Sequence, residues 1–222
     1  MATSRAIRPS VQLLVCLLAL STAANRAAAA LDVTVVDAHG APIALVAVYA
    51  VPDKPVAAPP ATATAVMDQK HKAFVPHVLV VQAGTSVDFP NNDTVSHHVY
   101  SFSGPKSFEL PLYKGDAHPP LAFEKPGIVV LGCNIHDEML GYIYVVDTPY
   151  FATTDETGKA HITLPAGGYS VRVWTPRAGT ADLPQEMALT LDGADRAVTF
   201  QIKGRLQPEH DQGGSGLSWQ RY

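Results

Sequence analysis

Three residues that bind soft metals stand close together in the heptapeptide Cys133-Asn134-Ile135-His136-Asp137-Glu138-Met139. A thiolate, an imidazole and a thioether at C-x2-H-x2-M spacing prefer copper to hard cations, and a Cys-His-His set with a weak axial Met is the blue-copper arrangement. That arrangement needs a second imidazole from another strand. The polar loop Asn91-Asn92-Asp93-Thr94-Val95-Ser96 runs into His97-His98, which can supply it. Neighbours along a strand face opposite sides, so only one of the pair points inward. The spacing from Asn91 favours His97, with His98 as the alternative ligand. His77 and His118 fall outside the pattern and read as polar surface or loop residues. His39, His71, His161 and His210 carry no usable signal.

The cysteine count sharpens this reading. Residues 1–30 have the form of an export signal: Arg5 and Arg8 precede an apolar stretch from Val11 to Ala24, and Ala28-Ala29-Ala30 offers a small-residue cleavage site. The stretch is too short to span a bilayer. The expectation is a cleaved signal, a periplasmic protein and no membrane insertion afterwards. Cys16 would leave with the signal, and Cys133 would then lack a partner for an internal disulfide. It must be inert, paired between chains, reactive or bound to metal.

The chain has 222 residues, 16 Lys+Arg against 20 Asp+Glu, and is 47% hydrophobic and 16% charged. That is long enough for one large domain or two small ones with real cores. The apolar fraction excludes a disordered chain, and the acidic balance gives no reason to expect nucleic acid. No general acid, nucleophile or water-open metal position stands out, so an enzyme is not expected.

The elements that must position the ligands are strands. Short β-branched runs separated by Pro, Gly, Asn and Asp predict an all-β protein. Strands are expected at Leu31–Val36, Ala44–Val51, Val78–Val81, Ser86–Phe89, His97–Phe102, Phe108–Leu112, Gly127–Leu131 and Gly141–Val146. Later ones are expected at Lys159–Leu164, Tyr169–Trp174, Glu186–Leu191 and Ala197–Ile202. The Pro/Ala/Thr-rich stretch from Val51 to Ala65 reads as a linker, and residues 206–222 as a flexible tail.

From about Phe74 to Val146 the chain resembles the cupredoxins, the small blue-copper proteins such as plastocyanin, pseudoazurin and amicyanin. The resemblance covers the Gly84 turn, the Val87–Asn92 strand, the His97 region, Phe123–Gly127 and the Cys-His-Met loop, whose short spacing is most similar to amicyanin. It implies a Greek-key β-sandwich and one type 1 copper ion, with His97, Cys133 and His136 as equatorial ligands and Met139 as the axial one. The chain departs from the family in having Ser96 where Pro is common before the first ligand His, His98 where Asn is common after it, and Ile135 where Pro precedes the second.

A second resemblance spans Leu31–Pro52 and Phe151–Pro176. The motifs Asp37-Ala38-His39-Gly40-Ala41-Pro42, Thr154-Asp155-Glu156-Thr157-Gly158 and Leu164-Pro165-Ala166-Gly167-Gly168-Tyr169 are similar to those of transthyretin-like domains of the carboxypeptidase regulatory type. One extra Gly precedes the Tyr. This implies a second, smaller β-sandwich made of residues 31–65 and 149–205, with a cupredoxin segment, 66–148, inserted into it. Simple tandem order is the alternative. The combination resembles bacterial proteins labelled methylamine utilization protein.

Three functions are compatible with these residues. The first is a periplasmic one-electron carrier in which Ile135, Leu140 and Tyr142 offer apolar surface beside His136 to a transient redox partner. The second is a protein that buffers or delivers copper. The third is a partner-binding module on a cupredoxin scaffold, with Trp174, Tyr150 and Phe151 as its contacts.

Overall fold

The computed structural model describes residues 28–56, 59, 61, 63–116, 118–178 and 184–208. Residues 1–27 of the expected signal, His210 and most of the expected tail lie outside the described residues. Strands β1 (Ala28–Val36) and β2 (Ala47–Pro52) open the chain. The short β3 (Ala65–Val66), β4 (Asp68–Lys70) and β5 (Ala73–Val75) lead to β6 (Val78–Gln82) and β7 (Thr85–Asp88). Next come β8 (His97–Phe102), β9 (Ser107–Tyr113), β10 (Leu121–Phe123), β11 (Gly127–Cys133) and β12 (Leu140–Val146). The last five are β13 (Phe151–Thr153), β14 (Lys159–Pro165), β15 (Gly167–Trp174), β16 (Gln185–Leu191) and β17 (Arg196–Gln201). The described chain is all-β, and it holds no helix long and apolar enough to cross a membrane.

Two sheets built from β3 to β12 enclose one core. A five-stranded sheet, β6-β12-β11-β8-β9, faces a three-stranded sheet, β10-β7-β3. Between them lie Phe74, Val87, Phe89, Val99, Phe123, Leu131 and Ile143, together with Cys133 and Met139. Strands from both ends of the chain form two further sheets, β13-β2-β15-β16 and β14-β1-β17, and β4 pairs with β5 in a two-stranded fifth. Their core contains Leu31, Val33, Val48, Ile162, Val171 and Phe200. Alternation explains both cores. In β12, Ile143 and Val145 turn inward, while Tyr142, Tyr144 and Val146 turn to the opposite face. That opposite face is also covered: it packs on Ala47 and Tyr49 of β2 and on Trp174 of β15.

Three groups of residues take definite places here. Tyr142 faces Trp174 with ring centroids 5.8 Å apart, and so belongs to the packing between sheets and not to a surface beside His136. Trp174 is buried, and Phe151 packs against the same cluster while Tyr150 packs on the other core, so none of the three forms a projecting platform. Ala28–Ala30, assigned above to the signal, extend β1 against residues 163–165, with Ala29 buried.

The turn motifs have clear local reasons. Asp37 accepts the amides of His39 and Ala41, each at 2.8 Å. Asp155 does the same for Thr157 and Lys159, and the Tyr169 hydroxyl donates to the Pro165 carbonyl at 2.7 Å. The extra glycine, Gly168, leaves room for the Asp53 carboxylate, which lies where a Cβ would be.

Candidate metal centre

β8 and β11 are antiparallel neighbours, with Cys133 opposite Val99 and Gly132 opposite Tyr100. This pairing brings the end of β11 beside the start of β8, so Cys133 arrives next to His97. The amide of Asn134 donates to the His98 carbonyl at 3.0 Å and extends the ladder past Cys133. The chain then turns back, closed by a 2.9 Å bond from the Met139 amide to the His136 carbonyl, and β12 begins. Gly132 is small for a reason: a Cβ there would sit 2.8 Å from the Tyr100 ring and hydroxyl.

Cys133 Sγ lies 3.6 Å from Nδ1 of His97 and 3.6 Å from Nδ1 of His136, and the two Nδ1 atoms are 3.1 Å apart. Among the described residues this is the one cluster of three such donors that could hold a metal ion. The triangle is small enough for a single first-row ion to reach all three corners at bond lengths of about 2.0–2.3 Å. Two imidazoles and a thiolate are the donor set that suits copper. Met139 is buried in the same core as Cys133.

The adjacent histidine is not part of this group. His98 turns to the other side of β8 and its Nε2 bonds Glu109 Oε1 at 2.7 Å. His77, expected at the surface or in a loop, lies in the loop between β5 and β6; half-buried, it bonds the Leu140 carbonyl at 3.1 Å and stands edge-on to Tyr142. His118 packs edge-on against Tyr113.

Sequence reasoning missed Asp93. This side chain is almost wholly enclosed, and its Oδ2 accepts from His97 Nε2 at 2.9 Å. The amides of Lys72 and Thr94 also donate to it, each at 2.6 Å. Burial opposes its ionisation, but the Lys72 amide, the His97 ring and the Thr94 amide outweigh burial and hold the carboxyl well below its usual range. The available signal was the spacing of four between Asp93 in the loop and His97 at the start of β8. His136 shifts downward through burial first and then through His97 and Lys72, with Asp93 opposing.

Asn91, whose spacing to His97 favours that histidine, is buried and organises the loop. Its Nδ2 donates to the carbonyls of Val95 and Tyr113, and its Oδ1 accepts the Asp93 amide at 3.0 Å.

No family model and no curated protein matches the sequence. Among solved structures, a purple cupredoxin from Nitrosopumilus maritimus is similar at 22% identity, covering 38% of this chain and 99% of that one, with a TM-score of 0.33. A reduced Cu(I) form of an amicyanin variant is similar at 24% identity over 44% of this chain and 99% of the other, with a TM-score of 0.35. A Cu-containing nitrite reductase from Thermus scotoductus SA-01 is 26% identical over 50% of this chain and 28% of its own length, with a TM-score of 0.35.

Proposed function

We propose that this protein is a periplasmic type 1 copper protein that carries single electrons. His97, Cys133 and His136 would hold one copper ion, and Met139 would supply its weak axial ligand. The convergence of the three donor atoms to within 4.8 Å carries this reading. Copper bound there would supply one-electron chemistry without protons or covalent steps. The chain's own contribution is rigidity: His97 and Cys133 sit on paired strands with their side chains buried, so the donors need move little when the charge changes. His136 is half-buried beside exposed Ile135, which suits a small, weak contact with a transient redox partner. No catalytic step is assigned. The domain division proposed is residues 66–148 as the copper module, inserted into a transthyretin-like module of 31–65 and 149–205.

A second reading, copper buffering or delivery, draws on Asp137 and Glu138, both exposed beside His136, which would make the site more open to exchange. One experiment separates the two. The exported chain is loaded with Cu(II) and its visible spectrum recorded beside Cys133→Ala. An intense thiolate-to-copper band, absent in the variant and bleached reversibly with copper retained, supports the carrier. A weak band, or release of the ion on reduction, overturns it in favour of copper handling.

A further inference from the structure

The buried carboxylate behind His97 has a consequence for charge. Asp93 is fixed from three directions, by the amides of Lys72 and Thr94 and by the His97 ring. Its own amide is held by Asn91 Oδ1. A carboxylate facing Nε2 at 2.9 Å requires the proton on that nitrogen. Nδ1 is then left with its lone pair, pointing at Cys133 and His136. A carboxylate bonded to the far nitrogen of a ligand histidine sets its tautomer and raises its basicity.

We propose that Asp93 is a positioning and tuning residue that presets His97 as a metal ligand and biases the site toward the divalent ion. The inference rests on the copper reading above. With neutral imidazoles, the Cys133 thiolate and the Asp93 carboxylate bring two negative charges to a largely enclosed place. A divalent ion balances them, whereas its one-electron reduction, which takes up no proton, leaves one negative charge over. Burial makes that surplus costly. Lys72 is a cation whose field reaches His136, but it is exposed and therefore screened. Asp93 thus lowers the reduction potential relative to the same site with a neutral residue there.

The test compares the exported chain with Asp93→Asn, which keeps the shape and an acceptor oxygen but removes the charge. Competition with chelators gives the Cu(II) and Cu(I) affinities, and a mediated titration gives the midpoint potential. The expected result is a Cu(II) affinity about tenfold lower in the variant with Cu(I) affinity unchanged, which raises the potential by about 59 mV. Equal losses for both ions, or an unchanged potential, would overturn the proposal and leave Asp93 a structural residue. A metal-free readout stands beside this one. Ring nitrogen NMR of the wild type should show His97 protonated at Nε2, and protonation at Nδ1 alone would overturn the assignment even if the variant fails to fold. A wild type that lacks the thiolate-to-copper band sinks the copper reading and the potential shift with it. The Nε2–H resonance would then still uphold the link between Asp93 and His97.

Discussion

At the scale of single residues, the decision between His97 and His98 turns on which face of β8 is covered. His97, Val99 and Ser101 are buried, while Phe102 is 82% exposed. The larger, more apolar set on the strand is His98, Tyr100 and Phe102, so residue size alone points to the wrong face. What turns His97 inward is the three-stranded sheet on the other side, which no local pattern encodes. His97→Ala should abolish tight copper binding, and His98→Ala should leave it within a few-fold, as measured by chelator competition. The opposite ranking would make His98 the ligand. Asp93 was hidden for a related reason: an acid in Asn91-Asn92-Asp93-Thr94 reads as a turn former until its depth is known. The Cys133–Met139 spacing, by contrast, was legible because one short loop carries three donors. Next to it, Gly132→Ala should push against the Tyr100 ring and cost about 1–3 kcal/mol by denaturant unfolding. Adding Tyr100→Ala should recover most of that loss.

At the scale of elements, the longer strands follow from alternation, and the short ones do not. β3, β4, β5 and β10 each have two or three residues, too few to show a period. The β4–β5 hairpin is further disguised by its turn, where His71 and Lys72 both have positive φ, 54° and 58°. Asn-Gly would announce such a turn; His-Lys does not. The strain has a use, since this turn aims the Lys72 amide at Asp93. Lys72→Gly keeps that amide and relieves the φ penalty of about 1–2 kcal/mol against a smaller entropy cost. The expected outcome is a gain of about 0.5–1 kcal/mol in thermal unfolding. A loss would mean the lysine side chain itself matters. The turns also set the acid response. The amide of Lys159, then Thr157, lowers the Asp155 carboxyl, and the amides of Ala41 and His39 lower that of Asp37. Groups depressed in the folded state add stability above their unfolded value near 4 and lose it as pH falls through the folded value. Unfolding midpoints should therefore drop below about pH 4, and Asp155→Asn should flatten that slope.

At the scale of the molecule, two cores share a third cluster that joins them. Trp174 of β15 meets Tyr144 at 5.0 Å and Tyr142 at 5.8 Å between centroids, and the Tyr49 and Tyr144 hydroxyls bond at 2.8 Å. Burial, and then the bond to Tyr49, pushes the Tyr144 phenol well above its usual range, as expected for a hydroxyl enclosed between sheets. The same face reaches the loop that carries His136 and Met139. Tyr142 touches His77, and His77 bonds the carbonyl of Leu140, the residue after Met139. The two sheet pairs should therefore unfold together, and metal bound at one should stabilise both. By calorimetry the wild type should give one transition that rises with copper, by about 2.7 kcal/mol when free ion is a hundredfold above its dissociation constant. Trp174→Ala should cost about 3–5 kcal/mol, lowering the midpoint by roughly 6–20 °C. It should also divide the transition in two, with copper raising only the one that reports the Cys133 core. Two transitions already present in the wild type would show that the aromatic cluster packs the halves together without coupling them.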